Sequence, residues 1–196
     1  MNIIQSVKDI IGNYFLSIEL RSHHRTKAFV NMEQAASVGI LFDATNSENF
    51  ELVKKYIVYL RDMKKRVKAI GFYNQRTPPP MTYSKLEYDF FSIKDLNWYN
   101  FPDTIYVRNF IEDEYDILLD LNLTDLFPLK YISALSRAKF KVGKKDDKNN
   151  GIFDMMIDAD ISKGLKYFLR NMDSYIFIIN KNTTNHVSYD KNLPKT

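Results

Sequence analysis

Cysteine is absent from the 196-residue chain, and glycine and proline are scarce, with six residues each. Without cysteine there are no disulfide bonds, thiol nucleophiles or cysteine metal sites, and this composition favours a reducing compartment. No apolar run approaches the ~20 residues that a membrane-spanning helix requires. The N-terminus also lacks the basic start and apolar core of a signal peptide. We therefore expect a cytoplasmic protein without a transmembrane segment.

The short motifs of nucleotide-binding and hydrolytic enzymes are absent too. The turn after the first predicted strand, residues 43–48, has no glycine, although dinucleotide-binding folds place a glycine-rich turn there. The GxxxxGK[ST] phosphate loop, the GxSxG elbow and the HExxH zinc motif are also missing. His23 and His24 are adjacent, which is not the spacing of two metal ligands on one helix face. The sequence therefore predicts no cofactor and no metal.

The apolar residues that are present indicate strands alternating with helices. Residues 115–143 set the pattern, with a continuous apolar strand, a polar turn, a helix and a second strand. A continuous apolar run indicates a strand covered on both faces, as in parallel sheets. We predict an α/β protein with a Rossmann-like, mostly parallel sheet of about five to six strands, flanked by helices.

Two local patterns give more detailed expectations. Phe140 and Val142 alternate with Lys139 and Lys141, which predicts a strand nearer an edge of the sheet. Trp98 is the single tryptophan and is expected to anchor the packing of an aromatic loop.

The chain divides into three predicted parts. Residues 1–36 are expected to form an amphipathic helix and a basic linker, because apolar residues recur at helical spacing over residues 2–20. This helix has three possible docking surfaces: the α/β domain, a partner subunit or a membrane. Residues 37–180 are predicted to be the Rossmann-like domain, and residues 181–196 a loose tail.

Polar residues follow the predicted strands, and parallel sheets bind ligands beyond the carboxyl ends of their strands. Three carboxylates end strands here: Asp43, Asp120 and Asp158. Such a set could hold Mg²⁺ or serve as acid and base. The structural explanation is that aspartate ends a strand by accepting backbone N–H groups. Further ligand-binding candidates at this edge are Thr45, Asn46, Asn74, Arg76, Ser92 and Asn122.

The net charge of +4 is modest, and cations concentrate in the linker and at the end of the second predicted helix. There they either stabilise a helix C-terminus or form a contact surface. The candidate partner contacts are Arg21, Arg25, Lys27, Lys64, Lys65 and Arg66. RNA or a ribonucleoprotein is compatible with this charge, as is a protein partner or self-association through residues 2–20.

Two resemblances to known families add to these expectations. Residues 115–121, 133–138 and 141–143 resemble a unit of about thirty residues in the N-terminal Rossmann-like half of heptosyltransferase-type glycosyltransferases. Those enzymes bind the nucleotide sugar mainly through a second Rossmann domain, for which this chain is too short. Residues 37–172 also resemble a family of uncharacterised Bacteroidota proteins, a domain of unknown function. The matching segments are 38–43, 69–74, 95–98, 127–131, 156–158 and 165–170.

These observations lead to two hypotheses. The first is a non-catalytic cytoplasmic binding or adaptor protein that contacts a partner through its N-terminal helix and basic surface. The alternative is a small enzyme or ligand-binding domain for a sugar nucleotide or phosphate, which uses the strand-end carboxylates.

Overall fold

A computed structural model describes residues 3–77, 88–146 and 151–179. The strands are β1 (Ser37–Asp43), β2 (Arg66–Tyr73), β3 (Tyr88–Ser92), β4 (Ile117–Asp120), β5 (Phe140–Lys144) and β6 (Met155–Ile157). The helices are α1 (Ile3–Ser22), α2 (Ser47–Asp62), α3 (Ile105–Glu112), α4 (Phe127–Leu135) and α5 (Gly164–Ile178). The three prolines at 78–80, residues 147–150 and the predicted tail at 181–196 lie outside the described residues.

The six strands form one parallel sheet in the order β3-β2-β1-β4-β5-β6, which confirms the predicted α/β fold. The order reverses between β1 and β4. In open α/β sheets, this reversal opens a crevice at the carboxyl ends of the strands. The fold therefore directs the search for a site to that edge.

Helices cover both faces of the sheet, which explains the continuous apolar runs of the central strands. Side chains of α2 and α5 pack on one face, where Ile117 and Leu119 of β4 point. Side chains of α3 and α4 pack on the other face, together with Leu118. All three β4 residues are fully buried because neither face of the strand meets water.

The alternating pattern predicts that β5 lies near an edge of the sheet, and β5 is indeed one strand from the edge. Lys141 nevertheless does not face water. Its side chain is only 1% exposed. The ammonium donates hydrogen bonds to the carbonyl oxygens of Ser133 (2.8 Å) and Ala134 (2.9 Å), near the C-terminal end of α4. Helix ends leave carbonyl groups without helical partners, and a lysine can reach them along its apolar stem.

The predicted packing role of Trp98 is wrong, because this side chain is 62% exposed. Its neighbour Phe101 fills the role, with its ring 4.2 Å from that of Tyr131 and stacked on Phe127. The sequence contains several aromatic residues in this loop, and composition alone does not show which of them points inward.

The first helix docks on the α/β domain beside α4. Gly12 and Leu16 are buried in this contact, and the Tyr131 hydroxyl donates a hydrogen bond to the Glu19 carboxylate at 2.9 Å. At Gly12, a Cβ atom would lie 2.7 Å from Phe127 Cζ, so only glycine allows this close approach. Over the described chain, no helix is both long and apolar enough to cross a membrane.

Candidate functional site

The carboxyl end of β1 is occupied by a self-contained turn. The Asp43 carboxylate accepts the backbone N–H of Thr45 at 2.9 Å, and the Thr45 hydroxyl oxygen accepts the backbone N–H of Asn74 at 2.9 Å. Asn46 caps α2 by accepting the N–H of Asn49 at 3.0 Å. The polar side chains of this turn therefore hold backbone groups, and they link the ends of β1 and β2.

The carboxyl end of β4 carries a buried carboxylate. Asp120 accepts the Ser133 hydroxyl at 2.6 Å and the backbone N–H of Asn122 at 3.0 Å. Burial raises the pKa of this carboxyl group to about 6. The Asn122 side chain in turn accepts the N–H and hydroxyl of Thr124. Asp120 borders a cavity of about 20 Å³, which is too small for an organic ligand.

The third candidate carboxylate is not grouped with the other two. Asp158 is exposed beyond β6 and pairs with Lys145 at 2.7 Å. At the end of β3, the Ser92 hydroxyl donates to the Asp95 carboxylate, which also accepts the Ser92 backbone N–H. Within residues 3–77, 88–146 and 151–179, no three acidic or histidine side chains are placed to hold a metal ion.

A larger cleft lies on the other side of this edge, between α1 and the carboxyl ends of β2 and β3. We call it the α1 cleft; its volume is about 660 Å³, within the range of pockets that bind small molecules. Asn74 is the one ligand-binding candidate from the sequence that lines it. Arg76 is exposed just beyond β2.

The other polar lining residues carry no sequence signal that points to a cleft. Lys8 and Asn13 come from α1, Asn100 from the aromatic loop, and Asp125 and Lys130 from the region where α4 begins. These positions are far apart along the chain, and only the docking of α1 beside α4 brings them together. A pattern confined to one helix or loop does not contain that information.

Two of the predicted partner contacts serve as internal ties. The Arg25 guanidinium is buried and makes two hydrogen bonds to the Asp154 carboxylate, at 2.6 and 2.8 Å. Lys65 donates hydrogen bonds to the carbonyl oxygens of Glu33 and Ala35. These contacts fasten the linker to the domain.

The remaining basic candidates form two separate groups at the amino edge of the sheet. Arg21 is exposed in the last turn of α1, and Lys27 is exposed in the linker, which runs along the start of β5. Lys64 and Arg66 lie in the turn and first residue of β2, and Lys64 adopts a left-handed φ of 63°. Since β1 and β4 separate these strands, the cations do not form one continuous basic surface.

The outward side of α1 carries a row of exposed apolar side chains, here called the outer stripe: Val7, Ile10, Tyr14 and Ile18. Ile10 is 70% exposed and Tyr14 is 64% exposed. The spacing of three, four and four residues places all four on one side of the helix. The sequence pattern left open whether the apolar side chains of this helix dock on the domain, a partner subunit or a membrane. The structure uses Gly12 and Leu16 for the contact with the domain and leaves these four side chains exposed.

An aromatic chain extends the outer stripe onto the domain. The Phe15 ring lies 5.7 Å from Tyr14 and 5.3 Å from Tyr99, and Tyr99 contacts Trp98 at 5.1 Å. The exposed indole of Trp98 therefore continues the apolar surface of α1. A connected surface of this kind differs from the single exposed apolar residues of most soluble proteins.

Comparison with known proteins identifies the family. A model of a family of unknown function, DUF6913, matches residues 8–179. The chain belongs to the DUF6913 family. The match covers most of α1, the linker and the sheet domain, so the DUF6913 family model includes the docked helix. No curated protein and no solved structure gives a significant match.

Proposed function

We propose that this DUF6913 protein is a non-catalytic cytoplasmic binding or adaptor protein that recognises another protein through the outer stripe. The observation that carries the proposal is the exposure of Val7, Ile10, Tyr14 and Ile18 after the opposite side of α1 has docked. Large connected apolar surfaces on soluble proteins mark sites of interaction. The bacterial origin and cytoplasmic location expected from the sequence belong to the same proposal.

The contact between α1 and the domain supports this role because it holds the helix in a fixed orientation. The close approach at Gly12, the burial of Leu16 and the Glu19–Tyr131 hydrogen bond each restrict α1. A surface that is ordered before binding loses less conformational entropy when a partner arrives. The outer stripe is therefore presented as a formed recognition surface.

The chemistry of the stripe indicates the kind of partner. An amphipathic helix is commonly recognised by an apolar groove that accepts side chains at this spacing. Arg21 ends α1 and Lys27 follows in the linker, and both are exposed. A protein with an apolar groove and acidic residues near the C-terminal end of α1 complements this surface. A continuous basic surface, which RNA binding favours, is not formed by the candidate cations.

The alternative of a small enzyme acting through strand-end carboxylates has less support. Asp43 and Asp120 accept hydrogen bonds within their own turns, and Asp158 is paired with Lys145 outside that region. A general acid or base needs to reach a bound substrate. These contacts favour the structural explanation for Asp43 and Asp120.

The decisive experiment compares two matched double variants. A partner captured by the wild-type protein is purified, and its affinity is measured by calorimetry. Ile10→Ser/Tyr14→Ser removes apolar area from the outer stripe and is expected to weaken binding at least about tenfold. Val58→Ser/Tyr175→Ser removes similar exposed side chains from α2 and α5 and should leave the affinity unchanged.

Two outcomes would contradict the proposal. One is an unchanged affinity for the Ile10→Ser/Tyr14→Ser protein, and the other is an equal loss in both double variants. Light scattering over a range of protein concentrations tests whether the partner is a second copy of the chain. A mass increase that the outer-stripe variant alone abolishes would identify a second copy of the chain as the partner.

A further inference from the structure

We propose that the α1 cleft binds a small organic anion, a molecule with a phosphate or carboxylate group attached to an apolar or ring-shaped body. The cleft holds about 660 Å³, lies at the ligand-binding edge of a Rossmann-like sheet and is separate from the outer stripe. This site is distinct from the outer stripe, because Lys8 and Asn13 of α1 line it and none of the four stripe residues does.

The apolar part of the lining comes from three elements. Phe72 lies near the end of β2, Ile93 and Leu96 follow β3, and Leu126 precedes α4. Phe72 is buried, whereas the other three side chains are partly exposed. Partly exposed apolar side chains that face a concave space gain free energy when a ligand removes them from water. They suit the carbon skeleton or ring of a ligand.

Three asparagines from separate elements supply the polar part of the lining: Asn13 from α1, Asn74 beyond β2 and Asn100 from the aromatic loop. A side-chain amide both donates and accepts hydrogen bonds, so such a set can orient hydroxyl, carbonyl or phosphate oxygens. Asn100 has a left-handed φ of 69°, a conformation that asparagine adopts more readily than most residues. This backbone conformation sets the direction in which the Asn100 side chain leaves the main chain.

The charges around the cleft favour an anion. Lys8 and Lys130 contribute two positive charges and Asp125 one negative charge, which leaves a net charge of +1. The N-terminal end of α4 also lies in the wall, and its first residues have no side-chain cap. The positive end of a helix dipole adds to the attraction of the lysines for an oxyanion. Phosphate and carboxylate groups share this chemistry.

The test is an NMR titration of the full-length protein with three probes: adenosine monophosphate, phenylpyruvate and inorganic phosphate. Binding is expected to shift the side-chain amide signals of Asn13, Asn74 and Asn100 up to about 10 mM probe, where even millimolar binders are largely saturated. The relative affinities of the first two probes distinguish a phosphate ester from a carboxylate. Both should bind more tightly than inorganic phosphate, because only they cover the apolar lining.

Matched variants connect these shifts to the cleft. Lys8→Gln/Lys130→Gln is expected to weaken binding at least about tenfold, since it removes two charge-assisted contacts. Lys55→Gln removes an exposed charge from α2 and should have no effect. The NMR spectrum itself shows whether each variant is folded.

The proposal is overturned if no probe shifts the three asparagine signals, or if the shifts persist unchanged in Lys8→Gln/Lys130→Gln. Equal affinities for all three probes would also overturn it, because the apolar lining would then contribute nothing. Failure here is distinguishable from failure of partner recognition. The Ile10→Ser/Tyr14→Ser protein retains the whole lining of the α1 cleft and should bind the probes like the wild-type protein.

Discussion

Replacing Asp120 with asparagine is expected to stabilise the protein at neutral pH, although Asp120 ends a central strand. The buried carboxylate accepts the Ser133 hydroxyl at 2.6 Å and the Asn122 N–H at 3.0 Å. Asparagine has nearly the same shape and keeps one oxygen for the N–H. Its NH₂ group can donate to the Ser133 hydroxyl, which is able to accept as well as donate. The substitution removes a buried charge without opening a cavity.

The size of the effect follows from the pKa of Asp120. Burial raises this pKa from 3.8 to about 6 in the folded protein. The folded state therefore binds the proton more tightly than the unfolded state. The stability contributed by this proton is fully present below pH 3.8 and is lost as the pH rises through about 6. A shift of about two pH units corresponds to about 3 kcal/mol at pH 7.

The assay is urea unfolding of both proteins, followed by circular dichroism, at intervals from about pH 4 to pH 7. The free energy of unfolding of Asp120→Asn minus that of the wild-type protein should rise by about 2 to 3 kcal/mol over this interval. Other titrating groups are common to both proteins and cancel in the difference.

Asp158→Asn is the matched control, since it makes the same chemical change on an exposed side chain. Its difference from the wild-type protein should stay within about 0.5 kcal/mol at every pH. A difference for Asp120→Asn that does not change with pH would refute the reasoning. Asp120 would then bind its proton equally well in the folded and unfolded states.

Three further predictions concern internal contacts. Burial and the charge of Arg25 lower the pKa of Lys141 to about 7. Above pH 7 the unfolded state then binds more protons than the folded state, so the free energy of unfolding of the wild-type protein should rise by about 2 kcal/mol between about pH 7 and pH 9. Urea unfolding should show this rise in the wild-type protein and not in Lys141→Met. Arg25→Lys should lower the free energy of unfolding by about 1 to 3 kcal/mol, because one ammonium cannot bind Asp154 and also reach the carbonyl oxygens of Ala138 and Lys139, as the two guanidinium nitrogens do. Gly12→Val should release α1, because its Cβ would clash with Phe127, and limited proteolysis should then cut α1 first.

Each of these predictions has its own control. Lys55→Met, on an exposed position of α2, should keep the wild-type pH dependence, and a retained rise in Lys141→Met would contradict the role of Lys141. Lys27→Ala removes an exposed cation near Asp154. If it lowered the free energy of unfolding as much as Arg25→Lys does, the geometry of the Arg25 guanidinium would not be the cause. Ser17→Val adds the same side chain to an exposed position of α1. Equal protease sensitivity of Ser17→Val and Gly12→Val would contradict the proposed clash.

The sheet was predictable because its information is local. Residues 117–119 are apolar without interruption, and this alone indicates a strand buried on both faces. The end of α5 shows where local information stops: the pattern at residues 175–179 is compatible with a helix or a strand, and the structure continues the helix through Ile178. A short apolar run takes whichever form its neighbours allow.

The interior contacts of Lys141 and Gly12 were not predictable from their residue types. A lysine between apolar strand positions usually faces water, and Lys141 is buried only because the end of α4 lies above it. A glycine in a helix carries no apolar signal, yet Gly12 sets how closely α1 approaches Phe127 and Tyr99. Both roles depend on which helix packs where, and the order of residues within one element does not specify that.

The sequence predicted where in the fold the candidate site lies, but not which residues line it. The carboxyl edge was the expected location, and Asn74 does line the α1 cleft there. Thr45 and Asn46 belong to the same edge but are used by the turn after β1. A sequence pattern shows that a residue follows a strand, whereas its use for the backbone or for a cleft depends on the local hydrogen bonds.

Docked α1 links the two proposals, because its inner side lines the cleft and its outer side presents the stripe. A ligand that binds only when α1 is docked stabilises the docked state in proportion to the logarithm of its concentration. The Gly12→Val protein should therefore lose affinity for both ligand and partner, whereas the lysine and outer-stripe variants should each lose one. If Gly12→Val kept its affinity for the partner, the partner would recognise α1 as a free helix. Docking would then serve the cleft alone.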